Sequence, residues 1–352
     1  MDTGNIIATP GTENRAAPEQ IKTACNFAFT GGGGEYFRIW IVNLFLSIIT
    51  IGIYSAWAKV RRETFFHRNL TLDNSPFGYH GKPIAILKGR ALAVVLVLAL
   101  SIAQGVSPLA YVLAILALLP LVPWLVVRAF RFRAHNTSYR GLRFSFHGTY
   151  RQALTAFVGY GLLAAFSFGI LFPLFYRQQR KFVFDNLRYG SSQFHCAATG
   201  GQFYRIFLKP VGLMFGTGLA IGLLAAAGGL AAVLVPVLFA LGALALTLFL
   251  MPYIRVRTAN LVWNTATLAQ MGFCSSLRIL PYFTLVAVNL VLLLLTFGLY
   301  WPWAQVRLAR YRASCLSLST TESLDSFVAA ETAAAPAVGD AVSDLMDIDI
   351  AL

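Results

Sequence analysis

The stretch Thr50-Ile-Gly52-Ile-Tyr54-Ser-Ala-Trp57-Ala58-Lys-Val60-Arg61 returns 246 positions later as Thr296-Phe-Gly298-Leu-Tyr300-Trp-Pro-Trp303-Ala304-Gln-Val306-Arg307. A weaker copy, Ser167-Phe-Gly169-Ile-Leu-Phe-Pro-Leu174, lies between them. Self-similarity of this kind means that one supersecondary unit is used several times, and that whatever buries one copy must bury the others. A smaller motif, Phe-x-Phe/Tyr-x-Gly, occurs at Phe27-Ala-Phe29-Thr-Gly31, Phe77-Gly-Tyr79-His-Gly81 and Phe144-Ser-Phe146-His-Gly148, with a degraded form at Phe194-His-Cys196. Its alternation reads as a strand with one buried face.

Eight residues before each of the last three phenylalanines stands an asparagine, at Asn69, Asn136 and Asn186, and Asn260 precedes Leu268 at the same spacing. Turn formers such as Asp73-Asn74-Ser75-Pro76, Arg140-Gly141 and Gly190-Ser191-Ser192 lie between. Each copy therefore reads as a β-hairpin joining two apolar segments. Gly52, Tyr54, Trp57, Gly298, Tyr300 and Trp303, with the four asparagines, are the structural residues of the repeat.

Those apolar segments lie near residues 39–58, 91–105, 108–127, 153–175, 207–228, 230–254 and 279–303. The runs Leu109 to Val127 and Leu230 to Ile254 are as long as the roughly 18–20 residues that cross hydrocarbon. Only 12% of the chain is charged and 57% is apolar, against about 25% charged in soluble domains. The expected fold is mainly α: a polytopic α-helical membrane protein with internal repeats and short β-hairpins on the cytoplasmic side. Basic linkers flank the segment at 153–175 on both sides, which favours four spans in two helical hairpins plus three re-entrant helical hairpins at segments one, four and seven. Seven spans with inverted repeats is the competing topology. No signal-peptide pattern opens the chain, so insertion through its own helices is expected.

The body is strongly basic. Between residues 26 and 320 the only acids are Glu35, Glu63, Asp73 and Asp185, against 26 Lys and Arg. The cations gather in clusters that follow apolar segments: Lys59, Arg61 and Arg62; Arg128, Arg131 and Arg133; Arg177, Arg180 and Lys181; Arg255 and Arg257; Arg307, Arg310 and Arg312. Lys and Arg collect on cytoplasmic loops of any inner-membrane protein, and Tyr54, Trp57, Tyr300, Trp301 and Trp303 beside them fit interfacial anchoring. The sharper reading groups these clusters on one face, around a shared centre, as a site for anionic ligands or lipid headgroups.

Other chemistries find little support. Buried ionisable residues, the usual carriers of ion coupling, are missing from the spanning segments. Asn43 and Asn289 hold equivalent repeat positions and read as interhelical hydrogen bonders. Gly31 to Gly34 lack the Gly-Lys-Ser/Thr ending of a phosphate-binding loop and read as a strand-to-helix turn. Cys25, Cys196, Cys274 and Cys315 are widely spaced, indicating neither disulfides nor zinc. No metal signature, cofactor motif or nucleophile elbow is present, and no enzyme is expected.

The motifs Phe27-x-Phe29-Thr-Gly31, Thr50-x-Gly52-Ile-Tyr54-x-x-Trp57-Ala58-Lys59-Val60-Arg61-Arg62 and Phe77-x-Tyr79-x-Gly81 resemble the YjgN-like family of bacterial inner-membrane proteins of unknown function. The resemblance covers roughly residues 25–318. The middle copy departs from it, with Leu171 and Leu174 in place of Tyr and Trp. The resemblance implies a fold and a location, not an activity.

The expected organisation is a disordered segment 1–26, a repeat-built membrane domain 27–318 with repeats starting near 27, 144 and 268, and a disordered acidic tail 319–352. The expected function is that of a non-enzymatic protein of the bacterial inner membrane, multi-pass, with hairpins and both termini cytoplasmic. Its basic face would engage anionic membrane lipids or an acidic partner, and not nucleic acid. The alternative is a transporter or channel-like protein for an anionic or lipidic substrate.

Overall fold

In a computed structural model, which describes residues 23–226 and 231–334, the chain forms five copies of one unit: strand, helical hairpin, strand. The first unit runs β1 (Thr23–Phe29), α1 (Gly33–Ile49), α2 (Ser55–Asn69) and β2 (Leu70–Leu72). The second is β3 (Ser75–Tyr79), α3 (Pro83–Val106), α4 (Pro108–Leu118), α5 (Leu121–His135) and β4 (Thr137–Tyr139). In the third, β5 (Leu142–Phe146) leads to α6 (Tyr150–Ala153), a π-helical stretch (Leu154–Gly159), α7 (Tyr160–Phe166), α8 (Phe172–Asp185) and β6 (Leu187–Tyr189). The fourth contains β7 (Ser192–Cys196), α9 (Gly200–Ala226), α10 (Ala231–Asn264) and β8 (Ala266–Leu268); the fifth contains β9 (Met271–Ser275), α11 (Ile279–Leu295), α12 (Trp301–Ser314) and β10 (Leu316–Thr320). A last helix, α13, spans Leu324–Ala334.

The ten strands close into one antiparallel barrel, with β1 sealing against β10. Closure removes the edges that short strands would otherwise leave unpaired. Because every unit enters and leaves its helical hairpin from the same strand ends, all five helical hairpins rise from one end of the barrel. The β-turns and α13 occupy the other.

This architecture corrects the expected fold class. The chain is not the polytopic α-helical membrane protein expected from its sequence: a closed β-barrel organises it, and among the described residues one helix, Pro83–Val106, is long and apolar enough to cross a membrane. The pair Pro108–Leu118 and Leu121–His135 qualifies only if counted as one span bent by 45°. The uninterrupted apolar run read as a single helix is broken at Pro120, which has no N–H to continue the ladder. The repeat starts near 27 and 144 fall in the first strands of two short units, whereas 268 ends β8 of a long unit, three residues before the third short unit begins at Met271; two long units alternate with the short ones. Part of the expected tail is ordered as the end of β10 and α13, because Leu324 and Val328 find an apolar surface to bury against. Residues 1–22 and 335–352, also read as disordered, lie outside the described residues.

The first Phe of each motif faces the barrel lumen, and the register sets it opposite a Leu or Tyr of the next strand: Phe27 with Leu72, Phe77 with Tyr139, Phe144 with Tyr189, Phe194 with Leu268, and Phe273 with Leu318. These ten side chains, with Cys25 and Met271, fill the lumen. The buried hydroxyls are satisfied around the ring: Tyr139 donates to the Leu72 carbonyl at 2.9 Å and Tyr189 to the Tyr139 carbonyl at 3.0 Å. The lumen is a packed core rather than a conduit.

The asparagines close the returning helices. The side-chain amides of Asn69, Asn136 and Asn186 each donate to the carbonyl four residues back, at 2.8 Å. In the fourth unit Thr265 holds this position and its hydroxyl donates to Leu261 at 2.7 Å. Asn260, aligned with the other three by spacing, sits one turn earlier and bonds Leu277 and Ser275 instead.

Candidate functional site

The tips of the three short hairpins share one backbone solution. Ile51 and Gly52 (φ 49° and 87°), Phe168 and Gly169 (51° and 86°), and Phe297 and Gly298 (50° and 88°) are all left-handed. Each glycine N–H reaches the carbonyl five residues back, at 2.7–2.8 Å. The hydroxyl of Thr50, Ser167 or Thr296 donates to the end of the rising helix and accepts from the start of the returning one. That double cap is why the motif needs Thr or Ser two residues before Gly.

A side chain in left-handed backbone costs about 1–2 kcal/mol, and here the strained residues are large apolar ones held outside the fold. Ile51, Phe168 and Phe297 are 94%, 98% and 97% exposed. Exposed Ile48, Ile49, Phe166, Ile170, Leu294 and Leu295 surround them. The long α3–α5 hairpin adds exposed Val94, Leu98, Ile102, Val106, Leu109 and Leu113.

Between these tips and the barrel lies a belt of cations, each cluster on the returning helix of its unit. Lys59, Arg61 and Arg62 stand on α2; Arg128, Arg131 and Arg133 on α5; Arg177, Arg180 and Lys181 on α8; Arg255 and Arg257 on α10; Arg307, Arg310 and Arg312 on α12. The expected shared centre is therefore not what the fold builds. Five returning helices around a barrel distribute the clusters, and the barrel axis is apolar.

Several of these cations are structural. Arg131, Arg177 and Arg310 donate to the carbonyls of Gly148, Ala198 and Gly31 in the following unit, at 3.2, 2.9 and 3.0 Å. Arg180 bonds the Tyr176 hydroxyl and lies over its ring, and Lys181 is 3.9 Å from Asp185. Arg61 and Arg128 lie over the rings of Tyr54 and Trp124.

The aromatic repeat residues pack between units. Trp57 stacks on Tyr54 and Trp303 on Tyr300, and Trp303 also stacks on Phe37 of the first unit at 4.8 Å. Gly33 leaves the space its ring occupies. In the middle copy Leu174 packs the same way against Gly200, so a smaller side chain serves there. Arg90 and the acidic contacts of α13 escaped sequence reasoning; Asn43 reads in sequence, with Asn289, as an interhelical hydrogen bonder, but its oxygen has no partner.

A closed ten-strand barrel carrying five helical hairpins, apolar at the described tips, with a basic belt beneath them defines a repeat-built, membrane-associated class of protein. The chain belongs to a family of bacterial proteins of unknown function (DUF898), whose sequence profile matches residues 24–345. It is 35% identical over 127 residues to inner membrane protein YjgN of Salmonella typhimurium, a match covering 36% of this chain and 32% of that one. With inner membrane protein YjgN of Escherichia coli O157:H7 it is 34% identical over 128 residues, or 35% and 31% of the two chains. The match thus spans about a third of the length of these curated relatives. They are inner membrane proteins, which supports membrane association here. No solved structure matches the chain.

Proposed function

We propose that this chain is a non-enzymatic protein of the bacterial inner membrane that immerses its apolar helical hairpins in the bilayer and engages anionic headgroups with the basic belt beneath them. The observation that carries this reading is the set of tips at Ile51, Phe168 and Phe297: strained, fully exposed apolar residues, repeated in three units, with cations toward the barrel in each. Water gives such a tip no return for its strain, whereas lipid recovers about 1.5–3 kcal/mol for each large side chain taken out of water. The belt then falls at headgroup depth, where each Lys or Arg adds about 1 kcal/mol of attraction to anionic lipid. By the positive-inside bias, the belt and barrel face the cytoplasm, as do both ends of the described chain, which leave from the turn end.

The test replaces Ile51, Phe168 and Phe297 together by Asp. Flotation with phosphatidylglycerol-containing vesicles is expected to fall at least ten-fold, while thermal unfolding of the detergent-solubilised barrel stays within a few degrees of wild type. Flotation unchanged in the triple variant rules the reading out.

A further inference from the structure

We infer that the first unit carries a dedicated site for a phosphate ester bearing a neighbouring hydroxyl, the chemistry of a phosphoglycerol headgroup or of free glycerol phosphate, in the cavity between α1, α2 and α3. The inference rests on the lipid-engaging reading above but assigns the ligand to one cavity rather than to the belt.

The cavity has a volume of about 240 Å³ and is walled by Tyr36, Trp40 and Asn43 of α1, Lys59 and Arg62 of α2, and Arg90 of α3. Three cations converge on it. Arg62 is already bonded to Glu63 at 2.7 Å, and Arg90 donates to the Ser55 hydroxyl, so both guanidinium groups are held in place. Burial, and then the nearby Arg133 and Arg90, push the Lys59 ammonium below its usual pKa, as desolvation and neighbouring cations both do.

The repeat supplies an internal comparison. In the fifth unit Arg307 donates to Asn289 Oδ1 at 3.3 Å and to the Tyr300 hydroxyl at 3.0 Å, closing both groups off. Asn43 and Tyr54 are their counterparts in the first unit, and Arg61 is the counterpart of Arg307. There Arg61 instead lies over the Tyr54 ring, 5.7 Å from its centroid. Asn43 Oδ1 and the Tyr54 hydroxyl are left buried with no partner, and Asn43 is only 7% exposed. A buried polar atom without a partner costs about 1–3 kcal/mol, so a repeat that satisfies it in one copy and opens it in another has made room for a ligand group. Asn43 is one of the residues that line the cavity, and its unpartnered oxygen requires a donor, a need that a ligand hydroxyl would meet. Lys59 and Arg90, with Arg62 held beside them by Glu63, would attract an anion, and the ligand's phosphate supplies one.

Thermal unfolding and calorimetry of the full chain in detergent test this with four probes at matched ionic strength: glycerol 1-phosphate, dihexanoyl phosphatidylglycerol, dihexanoyl phosphatidylcholine and inorganic phosphate. Saturable stabilisation is expected with the first or the second, whichever is the source, exceeding that of inorganic phosphate and absent with phosphatidylcholine. Arg62→Gln, at a side chain 53% exposed and so safe for folding, and Arg90→Gln should each weaken binding about ten-fold or more. Arg180→Gln, in the belt but away from the cavity, should not. Vesicle flotation of the Arg90 variant, whose side chain stands on α3 outside the belt, should remain near wild type, which separates this site from the membrane reading. The inference is overturned if neither phosphate ester gives a saturable shift, if inorganic phosphate binds as tightly as both esters, or if Arg62→Gln and Arg90→Gln bind as the parent does.

Discussion

Replacing Gly148 by alanine is expected to destabilise the protein by about 1–3 kcal/mol, the usual penalty for one methyl forced into a filled core. Gly148 is not left-handed, so its requirement is one of space. A Cβ there would lie 2.5 Å from Phe146 Cε1 and 2.9 Å from Phe182 Cζ. Neither ring is free to retreat: Phe146 is buried between Phe130 and Phe182, at ring separations of 5.3 and 5.5 Å. The same ring-over-glycine contact recurs in the first two units, where Phe29 covers Gly31 and Tyr79 covers Gly81. Two units lack it, and they show the rule. Where the second aromatic shrinks to Cys196 or Ser275, the glycine position carries Ala198 or Leu277. In a Phe146→Ala background the Gly148→Ala step should therefore cost less than about 0.5 kcal/mol, a coupling within the range for contacting residues. Equal costs in the two backgrounds, measured by thermal unfolding in detergent, would refute the account.

That contact explains why so much of the unit was legible. Phe-x-Phe/Tyr-x-Gly encodes a lumen-facing ring, a ring at the base of the helices and the gap that ring needs, all within five residues. The turn signals at Asp73-Asn74 and Arg140-Gly141 are equally local, with Asp73, Asn74, Arg140 and Gly141 at positive φ. Closure of the barrel is not local. Nothing in Thr23–Phe29 states that it pairs with Leu316–Thr320, nearly the whole chain away, and hydropathy drew attention to the helices instead. The cation clusters were found but not their disposition. A cluster at the end of each apolar segment is compatible with one centre or with a ring, and only strand order around the barrel decides. Asn43 reads in sequence as an ordinary interhelical hydrogen bonder; its lack of a partner depends on where Arg61 turns.

The helix α13 was the least legible element, because its hold on the barrel comes from acids that composition assigns to a solvated tail. Glu331 is buried at the turn between β6 and β7, where its carboxylate accepts from the Ser191 and Ser192 backbone N–H groups at 2.6 and 3.2 Å and from their hydroxyls at 2.8 and 2.5 Å. At the other end of the helix, Asp325 pairs with Arg140, which also holds Asp73 across the neighbouring turn at 2.9 Å. Between these contacts Leu324 and Val328 seal the lumen and Phe327 stacks on Tyr189.

Glu331→Ala should release this helix. Hydrogen bonds to a charged group contribute about 1.5–3 kcal/mol each, and the substitution removes four at once while stranding two backbone donors. Amide exchange across Leu324–Ala334 is expected to rise at least a hundred-fold, with the barrel strands still protected. Acid should imitate the substitution. Burial raises the Glu331 pKa, but the hydrogen bonds from Ser192 and Ser191 outweigh it and leave the value below the ordinary one. A depressed carboxylate contributes stability that is complete above its unfolded pKa, about 4.3, and is lost as the pH falls through the folded value. Docking of α13 should therefore be constant from pH 8 to 6 and weaken below about pH 4.3. Glu331→Gln should be loosened at every pH and lose most of the acid-sensitive step. Wild-type protection across Leu324–Ala334 in the Glu331→Ala protein would mean that apolar packing alone seats the helix.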